Sequence, residues 1–347
     1  CNGAGCKASA ELIPQIVGGA DRNRAGLIEV DEPVERPHAR LRVEGRPALR
    51  VEIFAALGDQ HLVEAAVDRL LLARELGAVE VRRRGEELGL PGVVISFFPT
   101  SRMVFRNSGY LNSASEKVAL LSSYGPEAVV LIPFSREYAR TDKSEFLGQL
   151  GALSPAAIIV GEDFRFGADR AGTLNDLSLV TGKLEVFGLV SDDGRPISSS
   201  RLRELIEAGA VEDAADLLGD AYLAAGEVVR GDQRGRTIGW PTANVMVGEG
   251  KVLPVGVFAV RVTLPDGSTA GGMANVGSRP SFEGTPPSLE VHVFDFEGDL
   301  YGKEVTVRFI RRLRGQVRFA SLDELRQQLA LDAAGAREAL SAAGGEQ

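Results

Sequence analysis

The chain changes its hydrophobic pattern around one glycine-rich stretch, Gly231-Asp232-Gln233-Arg234-Gly235-Arg236-Thr237-Ile238-Gly239-Trp240-Pro241-Thr242-Ala243-Asn244. Before Gly226, short apolar runs alternate with segments of helical period. Beyond Gly226, apolar and polar residues alternate as they do in half-buried strands. The change predicts two domains of different class. We expect an α/β domain first and an antiparallel β-barrel of short strands second.

The quoted stretch has the composition of a site for phosphate and magnesium. Its glycines allow backbone N–H groups to approach an anion closely, and its arginines supply positive charge. Thr242 and Asn244 carry side-chain oxygens that suit a hydrated magnesium ion. A mobile glycine-rich hairpin is an equally good interpretation of the pattern alone. The candidate phosphate-binding residues are Gly231, Gly235, Arg236, Gly239, Thr242 and Asn244.

The strands of the second domain are predicted from alternation and turn residues. Residues 257–262 form one strand, which ends at the turn Pro265-Asp266-Gly267. Residues 289–296 and 304–310 form a further strand pair around Glu297-Gly298-Asp299. A closing helix is expected from Ser321, where Glu324 completes a capping box.

One acidic residue of this domain, Glu290, is a candidate general base. On a strand, Glu290 and His292 share one face, opposite Leu289, Val291 and Val293. A carboxylate at the mouth of a barrel can accept a proton from a substrate hydroxyl. The alternative is an ordinary solvent-facing glutamate.

The first half reads as a doubly wound α/β domain, whose ligand is expected at the carboxyl ends of its strands. Three apolar runs predict buried parallel strands, at 93–97, 128–132 and 157–160. Helices are predicted at about 62–76, after a capping box of Ser113 and Glu116, and in short pieces over 198–218.

Two segments of the first half are candidate ligand sites. The turn Gly161-Glu162-Asp163-Phe164-Arg165-Phe166-Gly167 directly follows a buried strand, so Phe164 and Phe166 are placed to pack against a flat ring. Core aromatics are the alternative. Ser198 and Ser199 open a helix that carries Arg203, a pattern that suits an anion site, although from these residues alone a simple N-cap is the better interpretation.

Composition limits the class of protein. The chain has 347 residues, a formal net charge of −9 and no apolar run that approaches the ~20 residues of a membrane span. It repels nucleic acid overall. Its two cysteines, Cys1 and Cys6, exclude a disulfide-built fold and fit a reducing cytoplasm. No Walker-type G-x-x-x-x-G-K-[ST] motif occurs.

The second half resembles riboflavin kinases. The quoted stretch matches their signature, and further family motifs follow in the family's order between residues 222 and 332. The resemblance implies a six-stranded barrel that phosphorylates the ribityl 5′-hydroxyl of riboflavin with ATP. It implies that Thr242 and Asn244 bind Mg²⁺ and ATP phosphates and that Glu290 is the base. Arg314 and Phe319 fall in its flavin motif, where Gln316 replaces the usual glutamate.

The first half resembles the FMN adenylyltransferase half of bacterial bifunctional riboflavin kinase/FMN adenylyltransferases, with Phe164 and Phe166 on the flavin side. That family's ATP signature is G-x-F-D-G-x-H-x-G-H. The best candidate segment here, residues 52–61, matches it only at Phe54 and His61. Gly58 stands at the first histidine position and Gln60 at the third glycine. Residues Ser198, Ser199 and Arg203 complete the nucleotide site that the resemblance implies.

Three hypotheses follow. The chain is a riboflavin kinase with weak or absent adenylyltransferase activity, a fully bifunctional enzyme that makes FMN and FAD, or a flavin-sensing regulatory protein. The expected organisation is an N-terminal region at 1–48, a nucleotidyltransferase-like domain at 49–190, a helical linker at 191–221 and a kinase domain at 222–345.

Overall fold

The structure, a computed structural model, describes residues 15–18, 26–28, 53–56, 78–106, 108–188, 191–231, 234–277 and 288–343. The chain divides into two compact units. The first consists of Cys1–Ser108 and Ala114–Ser198, and the second of Gly109–Ser113 and Ser199–Gln347. No helix among the described residues is long and apolar enough to cross a membrane.

A mixed sheet forms the centre of the first unit. Its strands are β1 (Gln15–Gly18), β2 (Gly26–Ile28), β3 (Ile53–Ala56), β4 (Gly92–Phe98), β5 (Ala128–Pro133), β6 (Ala157–Gly161) and β7 (Leu184–Phe187). The order across the described strands is β2-β1-β5-β4-β3-β6-β7. From β5 to β7 every pair is parallel, whereas β1 and β2 are antiparallel additions at one edge.

This order confirms the doubly wound prediction. The chain runs outward from β3 through β4 to β5, and then returns to lay β6 on the other side of β3. A ligand is expected at such a reversal, beyond the carboxyl ends of β3 and β6. The predicted helix at 62–76 lies outside the described residues. Strands β1 and β2 fall in the region 1–48, where the sequence predicted no element.

The central strands are buried on both faces, as their continuous apolar runs predicted. Val93 and Ile95 pack into one core cluster, and Val94 between them packs into another. The same alternation holds for β6, where Ile158 belongs to the first cluster and Ile159 to the second. Both faces of the sheet are therefore covered.

Helices and short elements complete the first unit. They are α1 (Ala78–Leu88), α2 (Ser101–Arg106), α3 (Ala114–Ser123), α4 (Lys143–Ala152), α5 (Leu174–Leu177) and the hairpin of β8 (Ser191–Asp192) and β9 (Arg195–Pro196).

The second unit is a closed six-stranded antiparallel barrel, as expected. Its strands are β10 (Leu223–Val229), β11 (Ala243–Met246), β12 (Gly256–Thr263), β13 (Thr269–Gly277), β14 (Ser288–Val293) and β15 (Glu304–Arg314), in the order β10-β11-β14-β13-β12-β15. Its helices are α6 (Ser199–Ala208), α7 (Val211–Leu218), α8 (Arg234–Thr237) and α9 (Leu322–Ala342).

One predicted strand pairing is wrong. Strand β14 pairs with β11 and β13, and β15 pairs with β10 and β12, so residues 289–296 and 304–310 do not form a pair. Strands β11 and β13 lie on the two sides of β14. The chain after the turn at 297–299 therefore continues into β15, which lies between β12 and β10. By contrast, the hairpin of β12 and β13 forms around Asp266 and Gly267 as predicted.

The closing helix α9 begins where the sequence predicted. The Ser321 side chain accepts a hydrogen bond from the Glu324 N–H. The Glu324 carboxylate accepts from the N–H of Ala320, one residue before the cap position. Alanines of α9 then pack against the barrel, with Ala333, Ala336 and Ala339 in one cluster with Met273 and Phe294.

A five-residue segment of the first half of the sequence, Gly109–Ser113, belongs to the second unit. The N–H of Tyr110 donates to the Gly250 carbonyl at 2.8 Å, and the Val252 N–H donates to the Tyr110 carbonyl at 2.9 Å. The Leu111 carbonyl accepts from the buried Tyr222 hydroxyl and from the ammonium group of Lys251. The segment is therefore hydrogen-bonded to residues 250–252 of the second unit.

Candidate active site

Paired residues on adjacent strands form a row along the barrel wall, and several of the predicted site residues belong to it. Asn244 on β11 lies opposite Glu290 on β14, and Glu290 lies opposite Asn275 on β13. The row continues from Asn275 to Val257 and from Val257 to Arg314. Directly paired residues of adjacent strands point to the same face of a sheet. The topology thus brings Asn244, Glu290 and Asn275 together on one face.

Glu290 occupies the face that the alternation predicted. Its neighbours Leu289 and Val291 are each 1% exposed, whereas Glu290 and His292 are half-buried. In the register, Glu290 lies between Asn244 and Asn275, and the residue is partly exposed. Such a carboxylate can accept a proton from a hydroxyl group held beside it.

The glycines of the predicted phosphate loop leave room for its polar side chains. A Cβ atom on Gly231 would lie 2.3 Å from the amide nitrogen of Asn244. A Cβ atom on Gly235 would lie 2.2 Å from the Trp240 carbonyl oxygen and 3.4 Å from the Thr242 hydroxyl. Because real Cβ atoms do not make contacts as short as 2.3 Å, glycine at 231 is what admits the Asn244 amide at its position.

The rest of the loop is a single tight helical turn. Gly235 lies in α8, and Gly239 after it has a φ of +86°, a left-handed conformation that glycine adopts without strain. The side chain of Arg236 lies outside the described residues. Thr242 and Asn244 follow at the start of β11, both half-buried.

The donor set fits a hard divalent cation better than zinc. A threonine hydroxyl, an asparagine amide oxygen and a carboxylate are oxygen ligands, which Mg²⁺ prefers in company with waters and substrate phosphates. The described residues include no group of three or more histidine, cysteine, aspartate or glutamate side chains able to hold a metal. Because the missing side chain of Gly231 makes room for the Asn244 amide, that amide can stand beside the loop as one of these oxygen ligands.

Arg314, predicted to bind flavin, is anchored to helix α9. Its guanidinium donates to both carboxylate oxygens of Asp332, with Nη2 to Oδ2 at 2.7 Å and Nε to Oδ1 at 2.9 Å. It also lies 5.7 Å above the ring of Phe319, the second predicted flavin residue. Gln328 donates to the same carboxylate at 2.8 Å. The sequence analysis did not identify Asp332, which lies 18 residues away from Arg314.

Gln316 connects the predicted flavin loop to the row of site residues. Its amide nitrogen donates to Asn275 Oδ1 at 2.8 Å and to the Val276 carbonyl at 3.0 Å. A glutamate, usual at this place in riboflavin kinases, has no hydrogen to donate when ionised. The amide at position 316 therefore makes two contacts that an ionised carboxylate cannot make. Asn275 is a second site residue whose importance emerged only from the strand register.

The two aromatic site residues predicted in the first unit are buried in its core. Phe164 is 2% and Phe166 7% exposed, and their rings stack with centroids 5.7 Å apart. Phe146 packs against Phe166 at 4.9 Å. The structure thus gives both rings a packing role directly after β6, and a role against a flavin stays a prediction.

The residues of the predicted nucleotide site divide between the two units. Ser198 ends the first unit, whereas Ser199 and Arg203 belong to the second. Arg203 is 7% exposed and donates from Nε to the Gly109 carbonyl at 3.0 Å. Burial lowers the pKa of its guanidinium. His61 lies outside the described residues, and the role of all four stays a prediction.

Both halves match family models. The riboflavin kinase model matches residues 218–340, and the FAD synthetase model matches residues 79–201. The second match begins after the segment 52–61, which carries the incomplete ATP signature.

Curated relatives match across both halves. A bifunctional riboflavin kinase/FMN adenylyltransferase of Escherichia coli (strain K12) is 36% identical over 270 residues, which cover 74% of this chain and 85% of the relative. The protein of the same name from Haemophilus influenzae is 33% identical over 265 residues, with 73% and 85% covered.

A crystal structure described as a macrolide-efflux protein from Streptococcus pneumoniae has a similar fold. It is 30% identical, with a TM-score of 0.70, and the alignment covers 84% of this chain and 95% of that one. Its description names a different activity from that of the curated relatives, and the likeness bears on the fold alone.

Proposed function

This chain belongs to the bifunctional riboflavin kinase/FMN adenylyltransferase family, and from that premise we propose that its barrel converts riboflavin and ATP into FMN and ADP. The observation that carries the proposal is the register of Asn244, Glu290 and Asn275 on one face of the barrel. It puts a candidate base beside a candidate metal and phosphate ligand.

The candidate residues Glu290, Thr242 and Asn244 have distinct parts in this reaction. Glu290 accepts the proton of the riboflavin 5′-hydroxyl as its oxygen attacks the γ-phosphorus, and ADP departs with the electron pair of the broken bond. Thr242 and Asn244 hold the phosphates, and Mg²⁺ bound there neutralises their charge. Backbone N–H groups of the loop around Gly235 and Gly239 support the phosphate chain.

The flavin side of the site is supplied by the loop after β15. The ion pair with Asp332 and the hydrogen bonds of Gln316 fix both ends of the segment from Arg314 to Gln316. We assign the isoalloxazine ring to this loop, with Phe319 as its apolar contact. Rigid support of this kind lowers the entropic cost of binding.

Both activities of the family are supported for the chain as a family member, and we propose that the two differ greatly in rate. Adenylyl transfer builds negative charge that the family's ATP signature neutralises. The segment 52–61 lacks the first histidine and the third glycine of that signature, and the FAD synthetase match begins only at residue 79. We therefore expect weak FMN adenylyltransferase activity.

A fully bifunctional enzyme is the second candidate. The strand order of the first unit, with its reversal beside β3, and the family match over residues 79–201 favour it. We further propose that the enzyme works in the cytoplasm, because its cysteine content fits a reducing compartment.

The proposal is tested by product analysis of the purified full chain with riboflavin and ATP. We expect FMN and ADP in equal amounts when Mg²⁺ is present, and neither when it is chelated. A folded protein that forms no FMN under the first condition contradicts the proposed kinase activity.

A further inference from the structure

His292 bonds to the backbone immediately before the candidate metal ligand Thr242. Its ring nitrogen Nδ1 lies 2.7 Å from the Pro241 carbonyl oxygen. A carbonyl oxygen only accepts, so Nδ1 carries the hydrogen and donates. The register pair of β11 and β14 that lies nearest to Pro241 is Ala243 with Val291. The imidazole therefore holds the chain just before the pairing of these two strands begins.

The imidazole is itself held by aromatic neighbours. The ring of Trp240 meets it edge-on with centroids 5.0 Å apart, and Phe294 does so at 5.7 Å. Phe294 is 6% exposed and belongs to the cluster beneath helix α9. The guanidinium of Arg337 lies 4.3 Å above Phe294 and pairs with Asp295, whose pKa it holds below the usual range. The ring orientation is therefore set by the packed core.

A fixed carbonyl at Pro241 fixes Thr242. The peptide unit is planar, so holding its oxygen sets the plane of the Pro241–Thr242 peptide. The next residue, Ala243, is held by its register pair Val291, so Thr242 is restrained on both sides and the direction of its side chain is limited. Proline has no N–H group through which Pro241 could be held from its other side. The Thr242 hydroxyl lies beside Gly235, where an added Cβ atom would come within 3.4 Å of it.

We infer that His292 is a positioning residue, which orients the Thr242 hydroxyl toward the phosphates and metal of ATP through the Pro241 carbonyl. The inference rests on the proposed kinase function. It assigns His292 to the nucleotide side of the reaction, although it lies two residues from the base Glu290 on the same strand face.

The test compares three substitutions of His292. They separate the effect of the hydrogen-bond donor from the effect of the aromatic ring and from the effect of the donor's position. His292→Phe keeps an aromatic ring without a donor. His292→Asn puts an amide N–H where Nδ1 was, and His292→Gln extends its amide toward the place of Nε2. We expect His292→Phe to raise the KM for Mg-ATP about tenfold, the effect of one lost hydrogen bond, with the riboflavin dissociation constant within about twofold. His292→Asn should recover most of the loss, and His292→Gln should not.

Two results would overturn the inference. One is an unchanged KM for Mg-ATP in His292→Phe. The other is a parallel loss of affinity for riboflavin and Mg-ATP in both His292→Phe and His292→Asn with a lowered melting temperature, which indicates a structural role only. Calorimetric titration with Mg-ATP alone is run on the same proteins. It keeps the inference testable if the wild type forms no FMN, an outcome that counts against the kinase activity itself.

Discussion

Asp332 is nearly buried, at 4% exposure, and its carboxylate is shared by Arg314 and Gln328. A buried ion pair is costly to break from one side, because the remaining charge stays in a poorly solvated place. The pair joins helix α9 to the end of β15, and hence to the flavin loop that follows it.

Asp332→Ala should therefore destabilise the second unit by about 2 kcal/mol, less than the ~3–5 kcal/mol of a fully buried pair, since Arg314 keeps some contact with water. It should also weaken riboflavin binding, because Arg314 loses its anchor. Urea unfolding and fluorescence titration with riboflavin measure the two effects. The matched control is Asp323→Ala, which removes an exposed pair with Arg326 on the same helix. Equal stability in both variants would contradict this account.

The sequence predicted some of these residues and missed others for a physical reason. Glu290, Thr242 and Asn244 lie in short local patterns whose chemistry can be read from neighbouring residues. Asn275 and Asp332 acquire their roles from partners 41 and 18 residues away along the chain, Gln316 and Arg314. Pairings of that kind depend on strand register and helix docking, which local patterns do not encode.

At the scale of elements, Gly226 within β10 and Gly231 in the connection from β10 to β11 have different neighbours. A Cβ on Gly226 would lie 2.3 Å from the backbone oxygen of Met246, whereas a Cβ on Gly231 would lie 2.3 Å from the side-chain amide of Asn244. The first contact can be relieved only by moving two strands apart. The second can be relieved by rotating one side chain.

Alanine at position 231 should consequently change the affinity for Mg-ATP, whereas alanine at position 226 should change stability. Gly231→Ala should displace Asn244 and raise the KM for Mg-ATP about tenfold, the cost of roughly one interaction, while the melting temperature changes little. Gly226→Ala should lower the melting temperature and leave the ratio of the two substrate affinities unchanged. Thermal unfolding and steady-state kinetics of both variants distinguish these outcomes. A Gly231→Ala enzyme with wild-type KM would mean that Asn244 does not contact the nucleotide.

Elements with strong local signals were predicted well. Strands β4, β5 and β6 are continuous apolar runs, and α9 begins at a serine cap. The partners of β14 were predicted wrongly. The turn Glu297-Gly298-Asp299 indicates that the chain changes direction there, but it does not indicate which strands pair. Strands β1 and β2 were missed since each has only a few residues and no alternation.

At the scale of the whole molecule, the family's motif residues are more complete in the second half of the chain than in the first. The barrel carries its candidate base, metal ligands and flavin loop within one described unit. In the first unit the reversal of strand order lies at β3, and the segment that follows β3 is the one whose ATP signature is incomplete. Gly58 stands at the first histidine position of that signature and has no imidazole with which to neutralise phosphate charge.

FAD formation from FMN and ATP should therefore be at least ~10²-fold slower than FMN formation by the same chain, since each lost donor to a developing charge costs about that much. Chromatographic product analysis with each substrate pair gives both rates. The double variant Gly58→His with Gln60→Gly restores two signature residues and should raise the FAD rate without changing the FMN rate. FAD appearing as fast as FMN in the wild type would favour the fully bifunctional enzyme.

The division of the chain into units was the least predictable feature at this scale. Residues Gly109–Ser113 belong to the barrel unit although the sequence predicted that domain to begin at 222. The segment is short, and it joins the barrel through backbone hydrogen bonds and through the buried side chains of Tyr110 and Leu111. Five residues are too few to show a periodic pattern, so the sequence does not indicate which unit they join.

The central claim, that Glu290 is the base of a riboflavin kinase, is tested most directly by the turnover of Glu290→Gln at saturating riboflavin and Mg-ATP. The amide keeps the size of the side chain and cannot take the proton. We expect turnover to fall by ~10²–10⁴-fold, the usual contribution of a general base, while the riboflavin dissociation constant stays within about threefold of the wild type. A fall in turnover of less than about tenfold would contradict the assignment, because it would mean that another group activates the hydroxyl.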